Sequence, residues 1–211
     1  MMELVCVRHG RTAWNAERRF QGQTDVPLDD VGRAQAQALA VHLAGERFDF
    51  ARASDLVRAW ETASGIAAAT GANLEPDVRL REMRFGSWEG LTWPQIVERH
   101  PELGDGDGTS PKYYVPQGGE TFDDVRARVR LVLDEVVPQL GPDGRALIVA
   151  HAGTLHALLS VALDVDDEAA LGLKFVPAAI MRLRGDGRSP WTLAAFNEIA
   201  PPLAESAPVT P

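Results

Sequence analysis

Glu3-Leu4-Val5-Cys6-Val7 runs directly into Arg8-His9-Gly10, and the same pattern returns at Ala146-Leu147-Ile148-Val149-Ala150 before His151-Ala152-Gly153. A short, unbroken apolar run has the form of a strand buried on both faces, as in a parallel sheet. A polar, glycine-containing cluster at its carboxyl end is where such sheets bind ligands. A third candidate strand, Phe48–Ala53, ends at Ser54, with Arg58 about one helical turn further on. Between these strands the apolar spacing changes to that of helices. We expect helices from Asp29 or Asp30 to about Ala44, over Leu56–Thr70 with Ser54 as N-cap and Gly71 as stop, and over Thr92–His100. Two more are expected over Thr121–Val137 and Thr154–Leu163. Leu74–Val78, Ile180–Leu183 and Thr192–Phe196 read as further strands.

Strands alternating with helices predict an α/β fold. It is a three-layer sandwich with a mainly parallel central sheet and helices on both faces. Arg8–Pro27 and Leu80–Gly90 read as loops, the first long enough to suggest function. We expect one domain over residues 1–199, with a small lid-like excursion at about 91–120. The tail 200–211 carries four prolines and reads as disordered.

Composition narrows the function. The 211 residues hold 21 Lys+Arg against 30 Asp+Glu, a net charge of −9, which disfavours nonspecific nucleic-acid binding. Only Lys112 and Lys174 are lysines, so the positive charge is almost all arginine, whose planar fork suits anions. The one cysteine, Cys6, allows no intrachain disulfide and reads as inert packing. Ala146–Leu163 lacks Asp, Glu, Lys and Arg over 18 residues, but its His, Gly, Thr and Ser residues argue for a strand, a turn and a helix rather than a membrane span. The expectation is a soluble, cytoplasmic protein with no membrane partner.

If the strand ends meet, Arg8, His9, Arg58 and His151 share one rim. Arginine forks bind phosphoryl oxygens bidentately, and a helix N-terminus adds free amides. A histidine kept neutral by cationic neighbours can attack phosphorus. A second histidine, if protonated, would stabilise the charge on the transferring group. A leaving oxygen needs an acid, and Glu82 is the candidate, with Glu89 its competitor. His42, His100 and His156 read as surface or core residues. His151 and His156 lack the spacing of a helical zinc pair, and no metal or cofactor is expected. Trp14, Trp60, Trp88 and Trp93 read mainly as packing. Trp14 and Trp88, within pocket motifs, could border the leaving group, as more weakly could Tyr113 and Tyr114.

These residues fall in a recognisable order. Arg8-His9-Gly10-Arg11-Thr12-Ala13-Trp14-Asn15, then Phe20-Gln21-Gly22 and Thr24-Asp25-Val26-Pro27-Leu28, resembles the histidine phosphatase superfamily, the phosphoglycerate mutase-like proteins. Ser54-Asp55-Leu56-Val57-Arg58-Ala59 with Thr62-Ala63 is similar to its second motif. Leu80-Arg81-Glu82, Phe85-Gly86 and Trp88-Glu89-Gly90 resemble the third, Gly118-Gly119-Glu120-Thr121 the fourth, and Ala150-His151-Ala152-Gly153 the last.

The resemblance implies a phosphohistidine at His9. It also implies a phosphoryl clamp of Arg8, Arg58 and His151, and Glu82 as proton donor. Asn15, Gln21 and Gly22 would line the pocket, with help from the Ala152 and Gly153 amides. The substrate would be a small-molecule phosphate ester, and members of the family are monomers or homodimers.

Within the family, a cofactor-dependent mutase places a long basic insertion after the third motif. Here the residues between Gly90 and Gly118 offer only Arg99, His100 and Lys112, against Glu98, Glu102, Asp105 and Asp107. That balance favours hydrolysis, and a leaving group that is not strongly anionic, over mutase activity; an intact His9 and Glu82 argue against the other alternative, a non-catalytic phosphoryl-binding module.

Overall fold

A computed structural model describes residues 1–103, 114–187 and 190–203. Six strands form one sheet: β1 (Met2–Arg8), β2 (Phe50–Ala53), β3 (Leu74–Pro76), β4 (Arg145–Ala150), β5 (Ala179–Gly185) and β6 (Thr192–Ile199). Their order is β3-β2-β4-β1-β5-β6. The first four are mutually parallel; β5 runs antiparallel to both β1 and β6. The helices are α1 (Ala13–Ala16), α2 (Asp30–Leu43), α3 (Val57–Thr70), α4 (Trp93–Arg99), α5 (Phe122–Val136), α6 (Ala152–Leu163) and α7 (Asp167–Leu171).

The three layers follow from strand alternation. In β1, Leu4 and Cys6 enter one core, beneath α5 and α6, while Val5 and Val7 enter the other, with Leu39 of α2 and Ile66 of α3. In β4, Ile148 serves the first core, Leu147 and Val149 the second. Cys6 lies fully inside, where desolvation raises its thiol pKa and keeps it unreactive.

The predicted architecture is observed, with local differences. Asp29, not Asp30, caps α2, accepting from Gly32 N at 2.7 Å. The first loop contains α1, closed by a capping box between Thr12 and Asn15. Helix α7, capped by Asp166, was not anticipated. Ser54 does not cap α3. That position falls to the buried Leu56, because the chain bends through Asp55 and Leu56 before turning helical. The centre of the expected excursion, with Lys112 and Tyr113, and the tail 204–211 lie outside the described residues.

Register places the site. Arg8 pairs with Ala150, and Ala53 with Val149. The residues immediately after these positions, His9, His151 and Ser54, therefore emerge side by side at the carboxyl ends of three adjacent strands.

Candidate active site

His9 is buried, and its ring centroid lies 5.0 Å from that of His151. Its Nδ1 is 2.6 Å from Gly10 O. A carbonyl can only accept, so Nδ1 carries the proton and Nε2 keeps its lone pair. Desolvation, followed by the charges of Arg58 and Arg8, holds the His9 pKa well below 6.5, so the ring is neutral and nucleophilic.

The two arginines are as unusual as the histidine. Arg58, in the first turn of α3, is fully buried. It donates from Nη2 to Gly22 O at 2.7 Å and from Nη1 to Thr24 O at 2.9 Å. Arg8 donates from Nη1 to Phe175 O at 2.6 Å. Burial lowers both pKa values, Arg8's to about 10, yet both stay charged at neutral pH.

Among the described residues, seven buried side-chain polar atoms have no hydrogen-bond partner, and three of them belong to this site: Arg8 Nε, Arg58 Nε and His151 Nδ1. Each unsatisfied buried donor costs about 1–3 kcal/mol, so three together mark a place built for a ligand that accepts hydrogen bonds.

His151 caps α6 with its backbone, and its Nε2 lies 2.8 Å from Ser54 Oγ. The Ser54 hydroxyl, read from sequence as a helix cap, instead serves this ring. Desolvation and the nearby arginines hold the His151 pKa well below 6.5, so the ring is neutral in the ligand-free protein, not protonated. A neutral ring can still donate. If Ser54 gives its proton to Nε2, the proton on His151 sits at Nδ1.

Neutral buried histidines make stability pH-dependent. Between the lowered folded pKa and the unfolded value near 6.5, only the unfolded chain binds the proton, so stability is complete above that value and declines below it. Denaturation midpoints measured without phosphate should show a loss of about 1.4 kcal/mol per histidine per pH unit as pH falls from about 6.5. Unchanged stability between about pH 7 and about pH 5 would contradict the neutral assignment.

Arg8, His9, Asn15, Gln21, Gly22, Arg58, Glu82, Ala152 and Gly153 line one cavity of about 770 Å³; His151 is fully buried beside His9 and is not itself part of the lining. The Glu82 carboxylate accepts from Met83 N at 2.8 Å and from Gly153 N at 3.4 Å. A Cβ at position 153 would sit 2.6 Å from Glu82 Oε1, so glycine there admits the carboxylate to the helix N-terminus. Glu89 does not line the cavity. It is spent on four donors, Gln23 N, Phe85 N, Thr24 N and Thr24 Oγ1, which tie two loops together. Gly22 has φ +52° and packs on this carboxylate, leaving no room for a side chain. Gln21 Oε1 accepts from Thr12 Oγ1 at 2.9 Å.

The rest of the lining is largely apolar, with Phe20, Met83, Phe85, Trp93, Phe122 and Leu171, and is charged at Glu17, Arg18 and Arg19. Trp93 borders this space and Trp14 and Trp88 do not; Trp88 is buried and stacks on Tyr114. His156, read from sequence as surface or core, lines the cavity, with Nε2 2.6 Å from Leu173 O. His42 and His100 pair with Glu198 and Glu102. Among the described residues, no cluster of three or more His, Cys, Asp or Glu is placed to hold a metal ion, and no helix is long and apolar enough to cross a membrane.

Comparisons with known proteins show what the chain resembles. Residues 4–199 match the sequence model of the histidine phosphatase superfamily (branch 1). A glucosyl-3-phosphoglycerate phosphatase of Mycobacterium tuberculosis is 37% identical over 203 residues, covering 90% of this chain and 83% of the relative. Phosphoglycerate mutase-like protein 4 of Arabidopsis thaliana is 37% identical over 159 residues, covering 74% and 69%. The structure of mycobacterial glucosyl-3-phosphoglycerate phosphatase complexed with VO3 superposes with a TM-score of 0.83 at 35% identity, covering 92% of this chain and 98% of that one.

Proposed function

The chain belongs to the histidine phosphatase superfamily, branch 1, and from that premise we propose how its own residues divide the work of hydrolysing a phosphate ester. It is a phosphoric monoester hydrolase acting on a small phosphate ester. The observation that carries the assignment of roles is the trio of orphaned nitrogens, on Arg8, Arg58 and His151, around a neutral His9.

His9 Nε2 attacks phosphorus while the P–O bond to the leaving alcohol breaks, giving a phosphohistidine. Arg8 Nε, Arg58 Nε and His151 Nδ1–H take the non-bridging oxygens, where charge is greatest in the transition state. Glu82 donates its proton to the departing oxygen. The same carboxylate then accepts a proton from the water that cleaves the N–P bond, which returns His9 and releases inorganic phosphate. Asn15, Gln21, Gly22 and the amides of Ala152 and Gly153 complete the floor. Residues 1–199 act as one domain.

The cavity is far larger than a phosphoryl group needs, and its largely apolar lining, with Glu17, Arg18 and Arg19 adding charge, leaves room for a sizeable alcohol. Glucosyl-3-phosphoglycerate, named in the mycobacterial relatives, therefore belongs in any substrate panel, beside sugar phosphates and simple alkyl phosphates. The test is release of inorganic phosphate from p-nitrophenyl phosphate with EDTA present, followed by that panel. Release is expected from acidic to neutral pH. No release from any ester by protein whose circular dichroism shows it folded would overturn the reading. Conversion of 3- to 2-phosphoglycerate with bisphosphoglycerate supplied, faster than hydrolysis, would reassign the chain as a mutase.

A further inference from the structure

Arg8 and His9 are gripped from outside the cavity by one short segment. Phe175 O receives Arg8 Nη1 at 2.6 Å, and Ala178 N donates to His9 O at 3.1 Å. Residues 174–178 thus form a strap across the carboxyl end of β1. Ala178 takes φ +60° to make the last of these contacts, an uncommon conformation for a residue with a Cβ.

The strap is held in turn by Asn197 on β6. Asn197 Nδ2 donates to Lys174 O at 2.7 Å, and Asn197 Oδ1 accepts from Val176 N at 3.3 Å. These two bonds bracket Phe175, whose carbonyl is the only hydrogen-bond partner Arg8's side chain has among the described residues. The reach of Asn197 comes from an irregularity in its strand. Ile180 pairs with Glu198 but Arg182 pairs with Ala195, so β6 carries an extra residue opposite Met181. At that bulge Asn197 adopts φ +52°. Bulges beside active sites re-aim side chains, and asparagine tolerates the left-handed region better than other residues with a side chain. Glycine would fit the backbone as well but could grip nothing. Phe196, its neighbour, packs edge-on to Phe175 with centroids 4.8 Å apart.

We propose that Asn197 is a positioning residue: through the strap it fixes the Phe175 carbonyl, and so the orientation in which the Arg8 guanidinium meets the phosphoryl group. This rests on the reading of Arg8 as a phosphoryl ligand. A buried guanidinium with one protein anchor turns when that anchor moves, and small misplacements of a binding group are costly.

The experiment measures inorganic phosphate binding by titration calorimetry, together with kcat, KM and thermal melting, for Asn197→Gly, Asn197→Asp and Leu193→Ala. Asn197→Gly keeps the backbone conformation and removes both bonds. Asn197→Asp sets a carboxylate oxygen against the Lys174 carbonyl and serves if the glycine variant does not fold. Both should bind phosphate about 3- to 10-fold more weakly and raise KM by a similar factor. Leu193→Ala, which truncates a half-buried side chain packed against the core from the same strand, should lower the melting temperature and leave phosphate affinity unchanged. Wild-type affinity in both Asn197 variants overturns the proposal, as does a loss that Leu193→Ala reproduces. If the wild-type protein binds no phosphate at all, the phosphoryl site itself is refuted, and this proposal with it.

Discussion

Replacing His9 by alanine is expected to abolish turnover, with kcat/KM on every phosphate ester falling by about 10⁴-fold or more. The reason is geometric. His9 Nε2 is the one lone pair left free on the ring by the Gly10 carbonyl, beside the orphaned nitrogens of Arg8 and Arg58. Water admitted to the space left by the imidazole would have no comparable base. The clamp itself survives the substitution, so His9→Ala should still bind inorganic phosphate. Steady-state kinetics beside calorimetric binding check this. Turnover within about tenfold of wild type would show that hydrolysis bypasses a covalent step.

Glu82→Gln is expected to divide substrates by their leaving groups. For an alkyl phosphate, whose alkoxide must be protonated as it departs, kcat should fall by about 10²- to 10³-fold. For p-nitrophenyl phosphate, whose phenolate leaves unaided, formation of the phosphohistidine should be nearly unaffected, and a burst of nitrophenolate should precede slow turnover because the carboxylate is still missed as a base. Phosphate binding should persist, since glutamine keeps one acceptor for Met83 N and gives up only the longer bond from Gly153 N, neither of which holds the phosphoryl group. Glu89→Gln should behave differently. Its carboxylate holds four loop donors outside the cavity, so its loss should weaken the pocket for all substrates regardless of leaving group. A leaving-group-dependent defect in Glu89→Gln, with none in Glu82→Gln, would transfer the acid role.

Much of this was legible in the chain because buried parallel strands announce themselves as unbroken apolar runs, and their carboxyl ends are where polar clusters gather. The runs at 3–7 and 146–150 located His9 and His151, and strand register then made them neighbours. What escaped sequence reasoning depends on contacts between distant segments. Ser54 has the residue type and position of a helix cap, and only the placement of β2 beside β4 gives its hydroxyl to His151. His156 looks like one more residue of an apolar helix until the 173–175 segment folds over it. Trp14 and Trp88 stand in the pocket motifs, yet Trp93 reaches the cavity, because these tryptophans sit on one-turn elements or at a helix start, too short for periodicity to show which way they point. The charge state of His151 is set by burial and by two arginines remote in sequence. Asn197 owes its role to a bulge one residue long, and a bulge leaves little trace in a half-exposed strand.

The net charge of −9 is compatible with an anion site because the cations that matter are few and local. Arg8 and Arg58 are desolvated, so their fields are poorly screened.

The central claim is that the phosphoryl group passes through His9. It is tested most directly by mixing the protein with an activated phosphate ester, quenching under alkaline denaturing conditions that preserve phosphohistidine, and mapping the modified peptide by mass spectrometry. One added phosphoryl group is expected on His9, more of it in Glu82→Gln, where cleavage of the N–P bond is slowed, and none in His9→Ala. A phosphoryl group mapped to His151 or His156, or none on any residue in Glu82→Gln while ester is being consumed, would contradict it.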